Sequence, residues 1–172
     1  MPMYLYLGDI TRMETDAIVN AAGTDLRRCP GICDAIFAAA DTEKLERACR
    51  KLGRCRIGQA VATPGCGLPC RYIIHVAGPG WYGGEPRERF LLAGCYQNAL
   101  HKAYLCSCRR VAVPLIFSGD CHMPRADSLR VAGAAISDFC QRHPSMEVTL
   151  VLYRQSIYDM AKRILGWEDA PS

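Results

Sequence analysis

Short apolar runs alternate with amphipathic stretches along the whole chain, and that alternation leaves few folds open. Residues 3–7, 17–20, 60–63, 72–76, 111–116 and 148–153 read as strands, compact apolar runs closed by small or polar residues. Between them, residues 31–40, 42–52, 85–105, 125–141 and 156–165 read as helices, with Thr42 as the expected N-cap of the second. The long third helix is expected to bury Phe90, Leu91, Ala93, Tyr96, Leu100 and Tyr104. Pro64-Gly65 marks a turn, and Pro114 argues that the fifth strand loses regular pairing late. Strands joined through helices need crossovers that cover both faces of a sheet. The expected class is therefore α/β, a three-layer α/β/α sandwich around a mixed, mostly parallel sheet. No repeat, low-complexity segment or linker breaks the pattern, so residues 1–172 read as one domain with its core at 3–166.

Composition supports a packed domain and narrows the function classes. Of 172 residues, 50% are apolar and 22% charged, enough apolar material for a core and too much for a disordered, collagenous or coiled-coil chain. The net charge of +4 is spread along the sequence, which suits attraction of a phosphorylated ligand but supplies no basic stripe for nucleic acid. Uncharged stretches fall far short of a membrane span, and Met1-Pro2-Met3-Tyr4-Leu5 lacks the basic start of a signal peptide. A cytoplasmic monomer is the expectation, with no nucleic-acid or membrane partner. The eleven cysteines are odd in number and lack paired C-x-x-C spacing, so they are expected to be reduced thiols. Cys49, Cys95 and Cys140 fall in helical patterns, where cysteine packs as a small hydrophobe.

In parallel sheets, ligands bind beyond the carboxyl ends of the strands. Four such ends carry small residues: Gly8-Asp9-Ile10-Thr11, Asn20-Ala21-Ala22-Gly23, Phe117-Ser118-Gly119-Asp120 and Tyr153-Arg154. The second leads through Cys29-Pro30-Gly31 into a helix start. Glycines there let backbone N–H groups approach a phosphate, and a helix N-terminus adds a favourable dipole. Each glycine alone reads as a tight turn; four such turns in register read as a ligand cleft.

These segments, with Asp16-Ala17-Ile18-Val19-Asn20-Ala21-Ala22 and Tyr72-Ile73-Ile74-His75-Val76-Ala77-Gly78-Pro79, resemble the macrodomains, a family of ADP-ribose-binding modules. The resemblance extends through Trp81, Cys95-Tyr96-Gln97-Asn98-Ala99-Leu100, Val113-Pro114, Ser118-Gly119 and Pro124. It implies the three-layer fold, and ADP-ribose or an ADP-ribosylated protein as partner, with no cofactor. It places the adenine amine on Asp9, whose ionised carboxylate only accepts hydrogen bonds, with Ile10 supporting the same base through its backbone. It places the phosphates on Gly31, Ile32 and their neighbours and on Ser118 and Gly119 of a second loop, where Asp120 follows as a ligand contact and Cys121 stands in place of the aromatic that covers the distal ribose. Asn20 belongs to the matched segment as an orderer of the loop, and Tyr153 stands where the family sets an aromatic beside adenine or, more simply, ends a strand.

The departures lie at the far end of the ligand. Where hydrolytic members carry Asn, Gly23 stands, without a side chain to position the distal ribose. Their glycine-rich run is Arg28-Cys29-Pro30-Gly31, and the acid that follows it is Cys33. Asp34 is one residue later, which on a helix turns it about 100° away. Cys33 and Asp34 are thus the candidate catalytic positions. Arg27 and Arg28 are either phosphate partners or exposed loop arginines. Cys29, Cys33 and His122 also allow a zinc site, and Cys33 with His122 a nucleophile pair; the expectation here is no metal and incidental thiols. The chain is expected to bind ADP-ribose or a derivative with reduced or altered hydrolysis. The alternative is an active hydrolase that removes mono-ADP-ribose from proteins or deacetylates O-acetyl-ADP-ribose.

Overall fold

A computed structural model describes residues 2–79, 86–116 and 123–171. Among the described residues seven strands form one sheet: β1 (Met3–Leu7), β2 (Ala17–Ala22), β3 (Ala60–Pro64), β4 (Tyr72–Ala77), β5 (Arg110–Pro114), β6 (Glu147–Leu152) and β7 (Glu168–Asp169). Their spatial order is β3-β4-β2-β5-β6-β1-β7. Only β3, against β4, pairs antiparallel; every other neighbour is parallel. The helices are α1 (Ile32–Ala39), α2 (Thr42–Leu52), α3 (Pro86–Leu105), α4 (Arg125–Arg142) and α5 (Gln155–Leu165), with a 3-10 turn at Ile10–Arg12.

Side-chain alternation divides the core into two layers, as a sheet covered on both faces requires. Ile18, Ile73, Ala112 and Val151 face α1 and α2 with Ile36, Phe37, Leu45 and Cys49. Val19, Ile74, Val113 and Leu150 face the other way, among Leu92, Tyr96, Leu129, Ile136 and Ala161 of α3, α4 and α5. The result is the three-layer α/β/α sandwich that the alternating pattern implies. Among the described residues no helix is long and apolar enough to cross a membrane, and every cysteine is a free thiol.

Four local expectations are corrected. Asp41, not Thr42, caps α2, accepting from the Lys44 backbone N–H at 3.3 Å, while Thr42 Oγ1 donates to the Phe37 carbonyl at 2.7 Å. Tyr96 and Leu100 of α3 are buried as expected, but their companions on the buried side are Leu92, Cys95, Ala99 and Ala103; Leu91 and Ala93 are half-buried, and Phe90 and Tyr104 are exposed. β2 continues through Ala22, paired to Ala77 of β4, because small apolar residues fit the ladder as well as the runs before them. The pairing of β5 stops at Pro114, as that proline implied, and the strand is Arg110–Pro114 rather than 111–116, so Leu115 and Ile116 belong to the connection beyond it. The two-residue β7, paired to Tyr4 and Leu5, carried no hydrophobic signal in the sequence.

Candidate functional site

At the carboxyl ends of the parallel strands lies a cleft of about 910 Å³. Gly8, Asp9 and Ile10 follow β1, Ala21 to Gly23 end β2, Gly78 follows β4, Leu115 and Ile116 follow β5, and Tyr153 and Arg154 follow β6. The cleft exists because five parallel strands stop together and their connections splay apart.

Asp9 stands at one end. Its Oδ1 accepts from the Thr11 backbone N–H at 2.9 Å and the Thr11 hydroxyl at 2.7 Å, so it caps the 3-10 turn. Its Oδ2 accepts nothing from the described residues, and a ligand donor can use it without loss of the cap. Ile10, 3% exposed, anchors the turn in the α1 layer and contributes to the cleft wall. Tyr153 is 81% exposed, which settles its placement: it is an open ring on the rim, not a core tyrosine.

Two helix N-termini open on the cleft. Gly31 precedes α1 with φ of 87°, a left-handed conformation that glycine adopts without strain, and Gly31, Ile32 and Ala35 line the wall. Arg154 precedes α5, and Ile157 of its first turn lines the opposite wall. Neither N-cap residue makes a side-chain cap bond. The N–H groups of both first turns are therefore left for water or for an anion, and both dipoles favour negative charge. The β5 side is held by Tyr96, fully buried, whose hydroxyl oxygen accepts from the Ile116 backbone N–H at 2.8 Å.

Behind the wall runs a buried polar relay. Asn20 Nδ2 donates to His75 Nδ1 at 3.1 Å and to Cys33 Sγ at 3.7 Å. With Nδ1 accepting, the proton of the neutral ring lies on Nε2, which donates to Thr63 Oγ1 at 3.0 Å. Burial pushes the His75 pKa down to about 4, so the ring is neutral near pH 7. Asn20 Oδ1 accepts no bond, although the residue is fully buried.

The sequence-derived residues thus separate into three groups. Asp9, Ile10, Gly23, Gly31, Ile32 and Tyr153 line the cleft. Asn20, Cys33 and Asp34 do not. Asn20 lies beneath the cleft in the relay; Cys33 is 1% exposed, and its thiol donates to the Arg27 carbonyl at 3.8 Å. Asp34 is on the outer surface, paired with Arg28 at 2.6 Å. Ser118, Gly119, Asp120 and Cys121, with His122 and Trp81, lie outside the described residues. Arg27 and Arg28 do not reach the cleft wall. Cys29 does, but burial first, and then its neighbour Cys33, push its thiol up to about 12, which leaves it protonated. Among the described residues no three His, Cys, Asp or Glu side chains converge as a metal site. Sequence reasoning missed Ala35, Leu115, Ile116 and Ile157; the signal available was the helix period, which sets residues one turn into α1 and α5 on the same face as their starts.

Comparison with known proteins follows the same lines. The macro domain family model matches residues 19–132. A macro domain-containing protein of Mesorhizobium japonicum is 44% identical over 133 residues, 77% of this chain and 75% of its own. The O-acetyl-ADP-ribose deacetylase of Escherichia fergusonii is 38% identical over 168 residues, 95% and 94% of the two chains. The Trypanosoma brucei macrodomain in complex with ADP-ribose superposes with a TM-score of 0.87 at 26% identity, over 96% of this chain and 69% of that one. With a sheet of this order, a cleft at its strand ends and these relatives, the chain belongs to the macro domain family.

Proposed function

We propose that this protein binds ADP-ribose, or a derivative of it, in the strand-end cleft. Adenine sits between Asp9, whose free Oδ2 accepts from the exocyclic amine, and the exposed ring of Tyr153. The diphosphate occupies the middle, where the uncapped first turns of α1 and α5 supply N–H donors and positive potential. The resemblance adds Ser118 and Gly119 as a second phosphate loop, with Asp120 and Cys121 following as ligand contacts. The distal ribose extends toward Gly23. The observation that carries this reading is the pairing of a free carboxylate oxygen with two uncapped helix N-termini on one cleft. It is supported by the ADP-ribose in the Trypanosoma brucei complex.

Hydrolysis is expected to be weak. Gly23 offers the distal ribose no amide, the Cys33 thiol is buried and engaged, and the Asp34 carboxylate is bound to Arg28. The second reading, an active hydrolase or deacetylase, rests on the name and close length match of the Escherichia fergusonii relative. Calorimetry with ADP-ribose, run beside turnover assays on a mono-ADP-ribosylated protein and on O-acetyl-ADP-ribose, separates the two. Binding with slow turnover supports the first reading. Fast turnover of either substrate supports the second, and no binding removes both.

A further inference from the structure

A second cavity, of about 860 Å³, lies on the other side of the segment that ends the cleft. Its floor is apolar and buried: Leu26, Phe37 and Cys49, each 3% exposed or less. Its walls are four arginines, Arg27 and Arg28 from the connection before α1, and Arg50 and Arg54 from the last turn of α2 and just beyond. Arg28 is held by Asp34 at 2.6 Å. Arg27, Arg50 and Arg54 form no ion pair with a described residue. Two carboxylates, Asp25 and Glu46, also stand on the rim, and Asp25 is partly used in accepting the Arg27 backbone N–H at 3.1 Å.

The wall between the two cavities is a single stretch of chain. Gly23, Cys29, Pro30 and Gly31 face the cleft, while Asp25 to Arg28 face the crevice. The Thr24 carbonyl accepts from the Cys55 N–H at 2.9 Å, and the Arg27 carbonyl accepts from the Cys33 thiol at 3.8 Å, so the wall is tied on both sides. A polypeptide joined to the end of a ligand that extends toward Gly23 would cross this wall to meet the arginines.

We propose that the crevice receives an acidic stretch of the polypeptide that carries the ADP-ribose, a role that rests on the binding reading above. Guanidinium groups present planar forks that match carboxylates, and the apolar floor suits the stems of the flanking side chains. A nucleic-acid backbone fits less well, because the arginines are confined to one crevice rather than drawn out as a stripe that could track a run of phosphates.

The test uses the whole chain and four probes. They are free ADP-ribose, a serine-ADP-ribosylated peptide with glutamates flanking the serine, its glutamine-flanked counterpart, and an oligothymidylate. The glutamate peptide is expected to bind about tenfold tighter than the glutamine one at low salt, a margin in keeping with a few exposed ion pairs and one that shrinks as salt is added. Arg50→Glu with Arg54→Glu removes that margin and leaves the affinity for free ADP-ribose unchanged. Arg50→Gln with Arg54→Gln repeats the loss without reversing charge at the end of α2. Equal affinity for the two peptides, or a margin that survives both double variants, overturns the proposal. So does oligothymidylate binding that exceeds the peptide's and disappears in the same variants. Failure of free ADP-ribose to bind, with the glutamate peptide still preferred over the glutamine one through Arg50 and Arg54, refutes the cleft reading alone and retains the crevice as a site for acidic chain.

Discussion

In the proposed binding mode Asp9 holds two jobs in one carboxylate, and they come apart by substitution. Asp9→Ala removes the cap of the 3-10 turn together with the acceptor proposed for adenine. A lost hydrogen bond to a charged group costs about 1.5–3 kcal/mol, so calorimetry should show ADP-ribose affinity down roughly tenfold to a hundredfold. Asp9→Asn keeps an oxygen for the Thr11 N–H, so its melting temperature should stay near that of the parent while its affinity falls. Unchanged affinity in Asp9→Ala would place adenine elsewhere. At the far end, Gly23→Asn with Cys33→Asp is expected to raise turnover of mono-ADP-ribosylated protein several-fold, because the amide added at position 23, on the cleft wall, gives the distal ribose a hydrogen-bond partner worth about 1 kcal/mol. The same double variant should melt lower than the parent, because position 33 is 1% exposed and a carboxylate there meets the Arg27 carbonyl. A parent that already matches the double variant in rate would show that its catalysis uses other groups.

The elements explain why the cleft has the shape it has. α3 reaches the site through Tyr96, whose hydroxyl accepts from the Ile116 N–H as the chain leaves β5. Tyr96→Phe keeps the ring and deletes the acceptor, leaving a buried N–H unsatisfied at a cost of about 1–3 kcal/mol. Thermal unfolding should record that loss, and calorimetry should record weaker ADP-ribose binding, because Ile116 lines the cleft. A stability loss with unaltered affinity would mean that the β5 connection does not help to hold the ligand. Strand ends were legible in the sequence because each is a compact apolar run stopped by a small or polar residue. The rotation of α3 was not, since its aromatics lie on both faces and only contact with the sheet decides which are covered.

Across the whole molecule, the buried His75 makes stability depend on pH in a stated direction. Its pKa is near 4 when folded and 6.5 when unfolded, so between those values the unfolded chain takes up the proton first. Stability is full above about pH 6.5 and falls as pH drops toward 4, by roughly 3 kcal/mol from this one group. Denaturant unfolding at pH 7.5 and 4.5 should show a larger drop for the parent than for His75→Gln; equal drops would mean that His75 titrates normally. The relay of Asn20, His75, Thr63 and Cys33 was illegible in the sequence, where its members are separated by up to 55 positions. Asn20 and Cys33 were legible as unusual, but their burial beneath the cleft depends on β2, β4 and α1 packing together.

The edges of the sheet carry a last consequence. On one side the final strand is only Glu168–Asp169, two exposed acids on a pair of rungs. On the other, β3 runs against the direction of the rest and ends at Pro64, which has no N–H to offer. A second copy that tried to lengthen the sheet would meet carboxylates at one border and a missing donor at the other. The same hydrogen-bonding surface that lets five parallel strands stop together at a cleft thus offers a poor template sideways to a strand from another chain.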